Sequence, residues 1–228
     1  NWEEEKKIIT QKTKMIIINS PNNPTGKILS KEDFLELQKI TSGTNIIILS
    51  DEVYEHLVFD EKKHYSVCEF PELADRSIAV FSFGKTFHVT GWKLGYLLAP
   101  SNLMKEIRKV HQFSVFSSNH PLQMAIAEYM SNEDNYLKLN SFYQQKRDLF
   151  LSIISASRFE HLDCEGTYFQ LLNFSKISES NDMEMAKEMV LKYGIASIPI
   201  SVFYNSFLDQ HLLRFCFAKK TDTLKRAG

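Results

Sequence analysis

Ile78-Ala79-Val80-Phe81-Ser82-Phe83-Gly84-Lys85-Thr86 decides how the rest of the chain is read. Its four leading apolar residues fit a strand buried inside a sheet. A strand that runs into Ser-x-Gly-Lys brings a lysine amine to the rim of that sheet. In α/β proteins, ligands bind at the rim formed by the carboxyl ends of parallel strands. Three readings of Lys85 compete: a phosphate-binding lysine, a lysine that forms a Schiff base, and an ordinary solvated lysine. Gly84-Lys85-Thr86 matches the tail of a nucleotide phosphate loop, but that loop requires glycine at position 79. Position 79 is alanine, inside the strand, so the nucleotide reading fails. A lone lysine is best read as solvated; the neighbours of this one overturn that reading.

Upstream, Met15-Ile16-Ile17-Ile18-Asn19 reads as a strand buried on both faces, followed by the Ser20–Gly26 loop with two prolines. Ser30, with Asp33 three residues on, predicts the start of a helix with Phe34, Leu37 and Ile40 on its apolar face. Asn45–Ser50 is a second buried strand that ends in Asp51-Glu52-Val53-Tyr54, Ile78–Ser82 a third, and Lys93–Ala99 a fourth. Strands alternating with helical stretches predict an α/β fold with a mostly parallel sheet. Downstream, Ser101 caps a predicted helix with Leu103, Ile107 and Val110 on its apolar face, and Pro121 opens another. One long helix is expected from about Asp134 to Ala156, bridging to a second domain, with Leu139, Phe142, Leu149, Phe150 and Ile153 buried. Beyond it come a strand at Thr167–Phe174, a helix at Met183–Tyr193 stopped by Gly194, a short strand at Ile195–Ile198 and a last strand at Leu212–Phe217. The expected division is 1–156 for the larger domain with its linking helix and 157–228 for a smaller α+β domain, both partial.

The composition, 43% hydrophobic and 24% charged over 228 residues, is that of a globular protein with a sizeable core. A net charge of −1 gives no electrostatic reason to expect nucleic acid or an anionic membrane as partner. Cys68, Cys164 and Cys216 are odd in number and far apart, which fits free thiols in the cytoplasm. The histidines show no metal-ligand spacing, so no metal is expected. The chain opens at Asn1 on what reads as a helix already under way and closes on the start of another; it is read as an interior piece of a longer protein.

Three successive strand ends carry polar groups: Asn23 after the first, Asp51 and Tyr54 after the second, Ser82 and Lys85 after the third. Each alone has an ordinary explanation: a turn asparagine, a capping aspartate, a core tyrosine. Together they suit a lysine that carries an aromatic aldehyde cofactor. A carboxylate, Asp51, keeps the ring nitrogen protonated so that the ring accepts electrons. Asn23 and Tyr54 hold the ring's phenolate oxygen, and Ser82 and Lys93 anchor a phosphate tail. An unassisted lysine is less than about 0.1% neutral near pH 7, a limit that covalent attachment and cationic neighbours remove. Arg214, inside the apolar run Leu212–Phe217, must meet an anion or reach water; an internal ion pair is the ordinary alternative.

Asn22-Asn23-Pro24-Thr25-Gly26, Asp51-Glu52-Val53-Tyr54 and Ser82-Phe83-Gly84-Lys85-Thr86-Phe87-x-x-Thr90-Gly91-Trp92-Lys93 together resemble the fold-type I, class I/II pyridoxal-phosphate aminotransferases. Asp51–His56, Thr90–Tyr96 and Cys164–Phe169 are most similar to the bacterial methionine and the kynurenine/glutamine aminotransferases. The resemblance covers essentially the whole chain. It implies the fold-type I architecture, pyridoxal 5'-phosphate as cofactor, an amino acid and a 2-oxo acid as substrates, and a homodimer. By position, it implies that Lys85 forms the Schiff base and moves the proton, Asp51 pairs with the ring nitrogen, and Asn23 and Tyr54 bond the ring oxygen. Ser82 and Lys93 take the phosphate, and Arg214, with Asn23, takes the substrate carboxylate. Many relatives have arginine where Lys93 stands, so this anchor is a point charge rather than a fork. Ile198-Pro199-Ile200-Ser201 lacks the Pro-Gly that many relatives carry, a feature that, by the resemblance, it shares with the methionine-specific group. The family's glycine-containing phosphate loop, stacking ring and N-terminal substrate segment are expected upstream of Asn1, so this piece alone is expected to be inactive. The expected activity is transamination of methionine or another large neutral or aromatic amino acid. The rivals are a carbon–sulfur β-lyase on the same fold and an aminotransferase-like sensor domain of a transcription regulator.

Overall fold

The structure, a computed structural model, describes residues 2–228; Asn1, the first residue of the expected larger domain, lies outside the described residues. The described residues form two compact units: 2–21, Ile28–Val58 and Lys63–Leu139 in the first, Asn22–Lys27, Phe59–Lys62 and Asn140–Gly228 in the second.

In the first unit the elements are α1 (Trp2–Ile8), β1 (Met15–Asn19), α2 (Lys31–Thr41), β2 (Ile47–Asp51), α3 (Pro71–Ala74), β3 (Ser77–Ser82), α4 (Phe83–Thr86), β4 (Gly95–Leu98), α5 (Ser101–Ser114), α6 (His120–Met130) and α7 (Asp134–Leu137). The sheet order is β1-β2-β3-β4; β1, β2 and β3 are parallel, and β4 is antiparallel to β3. The predicted capping box is present: Ser30 Oγ accepts the Asp33 N–H at 3.2 Å, and Asp33 Oδ2 accepts the Ser30 N–H at 2.8 Å. This fixes the start of α2, whose Phe34 and Leu37 pack with Ile46, Ile48, Val67, Phe70, Leu73, Ala79 and Phe81. Leu37 is fully buried, so Leu37→Ala is expected to cost about 2–5 kcal/mol through lost contacts and a residual cavity. Urea unfolding measures it; a loss below about 0.5 kcal/mol, the scale of surface substitutions, would mean that α2 is not anchored by this residue.

Several expectations are corrected. β1 is not buried on both faces: Ile16 and Ile18 join the core beside α2, but Ile17, on the other face, is 67% exposed. The fourth strand begins at Gly95 rather than Lys93, because Lys93 adopts a left-handed conformation at the end of the turn Thr90–Trp92. Pro100, not Ser101, is the N-cap of α5, its carbonyl accepting the Met104 N–H at 2.9 Å. The expected apolar stripe of α5 is not buried, and Val110 is mostly exposed.

In the second unit the elements are α8 (Leu139–Ile154), β5 (Glu160–His161), β6 (Phe169–Asn173), α9 (Asp182–Glu188), β7 (Ile198–Pro199), β8 (Leu212–Cys216) and α10 (Thr221–Ala227). The expected long helix from Asp134 is broken at Lys138, whose φ −91°, ψ 1° leaves the helical region. In α8 the buried positions are Tyr143, Arg147, Phe150 and Ile154, so only Phe150 of the expected set is fully buried. The predicted helix at Met183–Tyr193 continues past Glu188 as a π turn and ends at Gly194, whose left-handed φ of 68° suits glycine. The sheet, order β5-β6-β8-β7, is antiparallel throughout. Arg147 grips both Asp60 carboxylate oxygens at 2.7 Å and donates to the Cys164 carbonyl at 2.9 Å, tying Phe59–Lys62 into this unit. The Arg147 fork holds the Asp60 carboxyl below the usual carboxylate range. Among the described residues no helix is long and apolar enough to cross a membrane, and the three cysteines are free thiols.

Candidate active site

Parallel pairing of β2 with β3 sets Asp51 opposite Val80, at the carboxyl ends of both strands. Backbone bonds pin this end from both sides: the Asp51 carbonyl accepts from Ser20 N–H at 3.1 Å and Asn19 Nδ2 at 3.0 Å, and Glu52 N–H donates to Val80 at 3.0 Å. The Asp51 carboxylate is half-buried and accepts the Val53 N–H at 3.3 Å. Burial pushes its carboxyl above the usual range; the Val53 N–H and the positive charge of Lys85 pull it back. Asp51 and Lys85 are thus electrostatic neighbours. Tyr54, in the turn that follows, is 3% exposed.

β3 ends at Ser82, and α4 carries Lys85 one turn on. Thr86 Oγ1 donates to the Ser82 carbonyl at 3.2 Å and Thr90 Oγ1 to the Gly84 carbonyl at 3.1 Å, which tightens this turn. Gly84 must lack a side chain, since a Cβ there would lie 2.9 Å from Thr90 Cα. The same holds for Gly95, where a Cβ would meet the Phe81 carbonyl at 2.4 Å. This close approach allows the Ser82–Gly95 pairing, which brings Ser82 beside the segment carrying the exposed Lys93. The end of β3 therefore brings the Lys85 charge to a half-buried carboxylate, and the Ser82–Gly95 pairing places the Lys93 segment next to Ser82.

Sequence reasoning gave Glu52 no role, yet it is the most enclosed carboxylate here, at 0% exposure. It accepts from Ser50 Oγ at 2.9 Å and the Val67 N–H at 3.0 Å, and His64 Nε2 lies 3.0 Å from its other oxygen. The only signal in the sequence is that a carboxylate adjoining Asp51 on a strand end must point to the opposite side.

In the second unit Asn23 lies in a loop whose Gly26 carbonyl accepts the N–H groups of Glu165 and Gly166, both at 2.9 Å. Arg214 sits in β8 between partners on both sides, Leu171 on β6 and Ile198 on β7. Its Nη1 donates to Asn23 Oδ1. Its guanidinium carbon lies 4.0 Å from the Phe169 ring centroid and 5.7 Å from that of Phe203. Sequence reasoning assigned neither ring; Phe169 stood within a quoted motif without a function. The structure thus brings together Asp51 with Lys85, Ser82 with the Lys93 segment, and Asn23 with Arg214. Asn23 and Tyr54, grouped in the sequence reading, belong to different units.

The donor set of the first unit fits pyridoxal 5'-phosphate chemically. It offers an amine for an aldehyde, a carboxylate for a ring nitrogen, a phenol for a ring oxygen, and a hydroxyl and ammonium for a phosphate.

A family model described as aminotransferase class I and II matches residues 2–227. The chain is 43% identical over 229 residues to a methionine aminotransferase of Escherichia coli (strain K12), covering 100% of the chain and 59% of that protein. It is 34% identical over 251 residues to a kynurenine–oxoglutarate transaminase of Dictyostelium discoideum, covering 100% and 58%. Among solved structures, an Escherichia coli protein described as having a methionine aminotransferase function superposes with TM-score 0.97 at 43% identity, covering 100% of this chain and 60% of that one. N-succinyldiaminopimelate aminotransferase of Mycobacterium tuberculosis superposes with TM-score 0.93 at 32% identity and the same coverage. The chain therefore spans about three fifths of the length of these relatives.

Proposed function

The chain belongs to the class I and II aminotransferases, and on that footing we propose that the intact protein moves an amino group from methionine, or another large neutral or aromatic amino acid, to a 2-oxo acid. The observation that carries this reading is Lys85, one turn beyond the end of β3 and close enough to act on the charge of Asp51 at the end of β2. Pyridoxal phosphate, when bound, supplies an electron sink for the carbanion formed at the substrate α-carbon. Lys85 would hold the cofactor covalently, and its amine, once released by the incoming substrate amine, would carry the proton that leaves that carbon. Asp51 would keep a proton on the ring nitrogen, and Tyr54 would bond the ring oxygen. Ser82 and Lys93 hold the phosphate. Arg214 presents a planar two-donor fork to the substrate carboxylate, with Asn23 beside it. A cytoplasmic homodimer belongs to the same proposal, supported by the free thiols and by the resemblance.

The test supplies the intact protein with methionine and a 2-oxo acid and follows the new amino acid. Pyruvate and ammonia released from a cysteine conjugate without any oxo acid would point to elimination instead. Asp51→Asn keeps the side-chain shape but removes the charge that holds the ring proton. It is expected to lower kcat by more than about tenfold, equivalent to ~1.4 kcal/mol, with a smaller change in KM. A smaller loss of kcat would make Asp51 a structural residue.

A further inference from the structure

The segment Ile198-Pro199-Ile200-Ser201 leads directly to a ring beside Arg214. β7 pairs with β8 at Ile198–Arg214 and Pro199–Leu213. The chain then turns at Ile200, whose N–H bonds the Leu212 carbonyl at 3.2 Å, into a short 3-10 turn, Ser201–Phe203. Asp182, the first residue of α9, is 1% exposed. Its two oxygens accept the Ser201 N–H and the Ser201 hydroxyl, each at 2.7 Å. A buried carboxylate that takes both donors of one residue fixes that residue firmly, because charge-assisted bonds in a low dielectric are the strong ones. Two residues on, Phe203 is 46% exposed, and its ring centroid lies 5.7 Å from the Arg214 guanidinium carbon. Phe169, the other ring at Arg214, is buried. The turn thus holds a half-uncovered aromatic surface next to the proposed carboxylate fork.

We propose that Phe203 is a specificity-determining residue that favours amino acids with large apolar side chains, and that the Asp182–Ser201 clamp is the positioning element that holds it at Arg214. The inference rests on the reading of Arg214 as the carboxylate fork. A carboxylate ligand seated there places its α-carbon near the Phe203 ring. A long thioether or aromatic side chain then covers apolar surface that a methyl group leaves in water. Sulfur and aromatic groups both pack well on such a ring.

The test uses the intact protein and measures binding by calorimetry, with 4-(methylthio)butanoate and acetate as amine-free carboxylate probes, in Phe203→Ala, Ser201→Ala, the double variant and Arg214→Ala. Phe203→Ala is expected to weaken the thioether probe at least about tenfold and acetate less than about twofold, the scale on which apolar pockets discriminate. Ser201→Ala should weaken the thioether probe in the same sense by a smaller factor. The double variant should be no weaker than Phe203→Ala alone, because the clamp acts through the ring. That non-additivity separates positioning from a general loss of stability. Equal losses for the two probes in Phe203→Ala, or no loss, overturn the inference while Arg214→Ala still weakens both. Losses that multiply in the double variant overturn the clamp's part in it. If Arg214→Ala leaves both probes unaffected, the carboxylate reading falls and the inference falls with it.

Discussion

Lys85→Ala in the intact protein is expected to abolish transamination, with a fall in turnover greater than about 10⁴-fold. A positioned acid–base group alone contributes about 10²–10⁴-fold, and this substitution also removes the covalent hold on the cofactor. The loss should be chemical rather than structural. Lys85 is only partly buried and sits in a turn held by Thr86, Thr90 and the close packing of Gly84, none of which depends on the lysine side chain. Thermal unfolding of the variant should therefore lie close to that of wild type. Borohydride reduction of the wild type with pyridoxal phosphate, followed by peptide mass spectrometry, should place the label on Lys85. A label on another lysine, or turnover retained in Lys85→Ala, would remove Lys85 from the chemistry.

Arg214→Ala has the next largest expected effect. The guanidinium lies in a strand paired on both sides, stacked at 4.0 Å on Phe169 and bonded to Asn23. Truncating one partner of a buried charged pair typically costs about 2–5 kcal/mol, which on the affinity scale is roughly a 30- to 5000-fold loss of kcat/KM for amino acids. Arg214→Lys should recover only part of this, since the ammonium offers no fork and stacks less well on the ring. The discriminating comparison sets an amino acid against its decarboxylated amine. Wild type should strongly prefer the amino acid, and Arg214→Ala should lose most of that preference. A preference that survives intact would make Arg214 a residue of the fold.

Much of this was legible in the sequence, because the relevant signals are local. Unbroken apolar runs marked β2 and β3, Ser30 with Asp33 marked the start of α2, and the residues after each strand marked the rim. The three joint motifs were enough to indicate the family. Register, burial and long-range pairing were not local and could not be read. An isoleucine run looks the same whether one or both of its faces are covered, so the exposure of Ile17 was invisible. Gly95 had to be glycine only because β3 passes within contact distance of it. The break at Lys138 left no mark in the pattern, since an isolated helix over that stretch would continue.

The sequence by itself determined which side chains stand at strand ends, an amine, carboxylates and a phenol, and which guanidinium stands inside the last strand, and therefore the chemistry they offer. Only the tertiary structure decided how those groups act on one another. The register of β2 against β3 brings the Lys85 charge to bear on Asp51, and burial works against that charge. The Val67 N–H and His64, remote in sequence, are what make Glu52 tolerable at full burial. The pairing of β7 with β8, and the bonds from Ser201 to Asp182, bring Phe203 to Arg214. Hydrogen bonds and apolar contacts act over a few ångströms of space, and distance along the chain does not report that space.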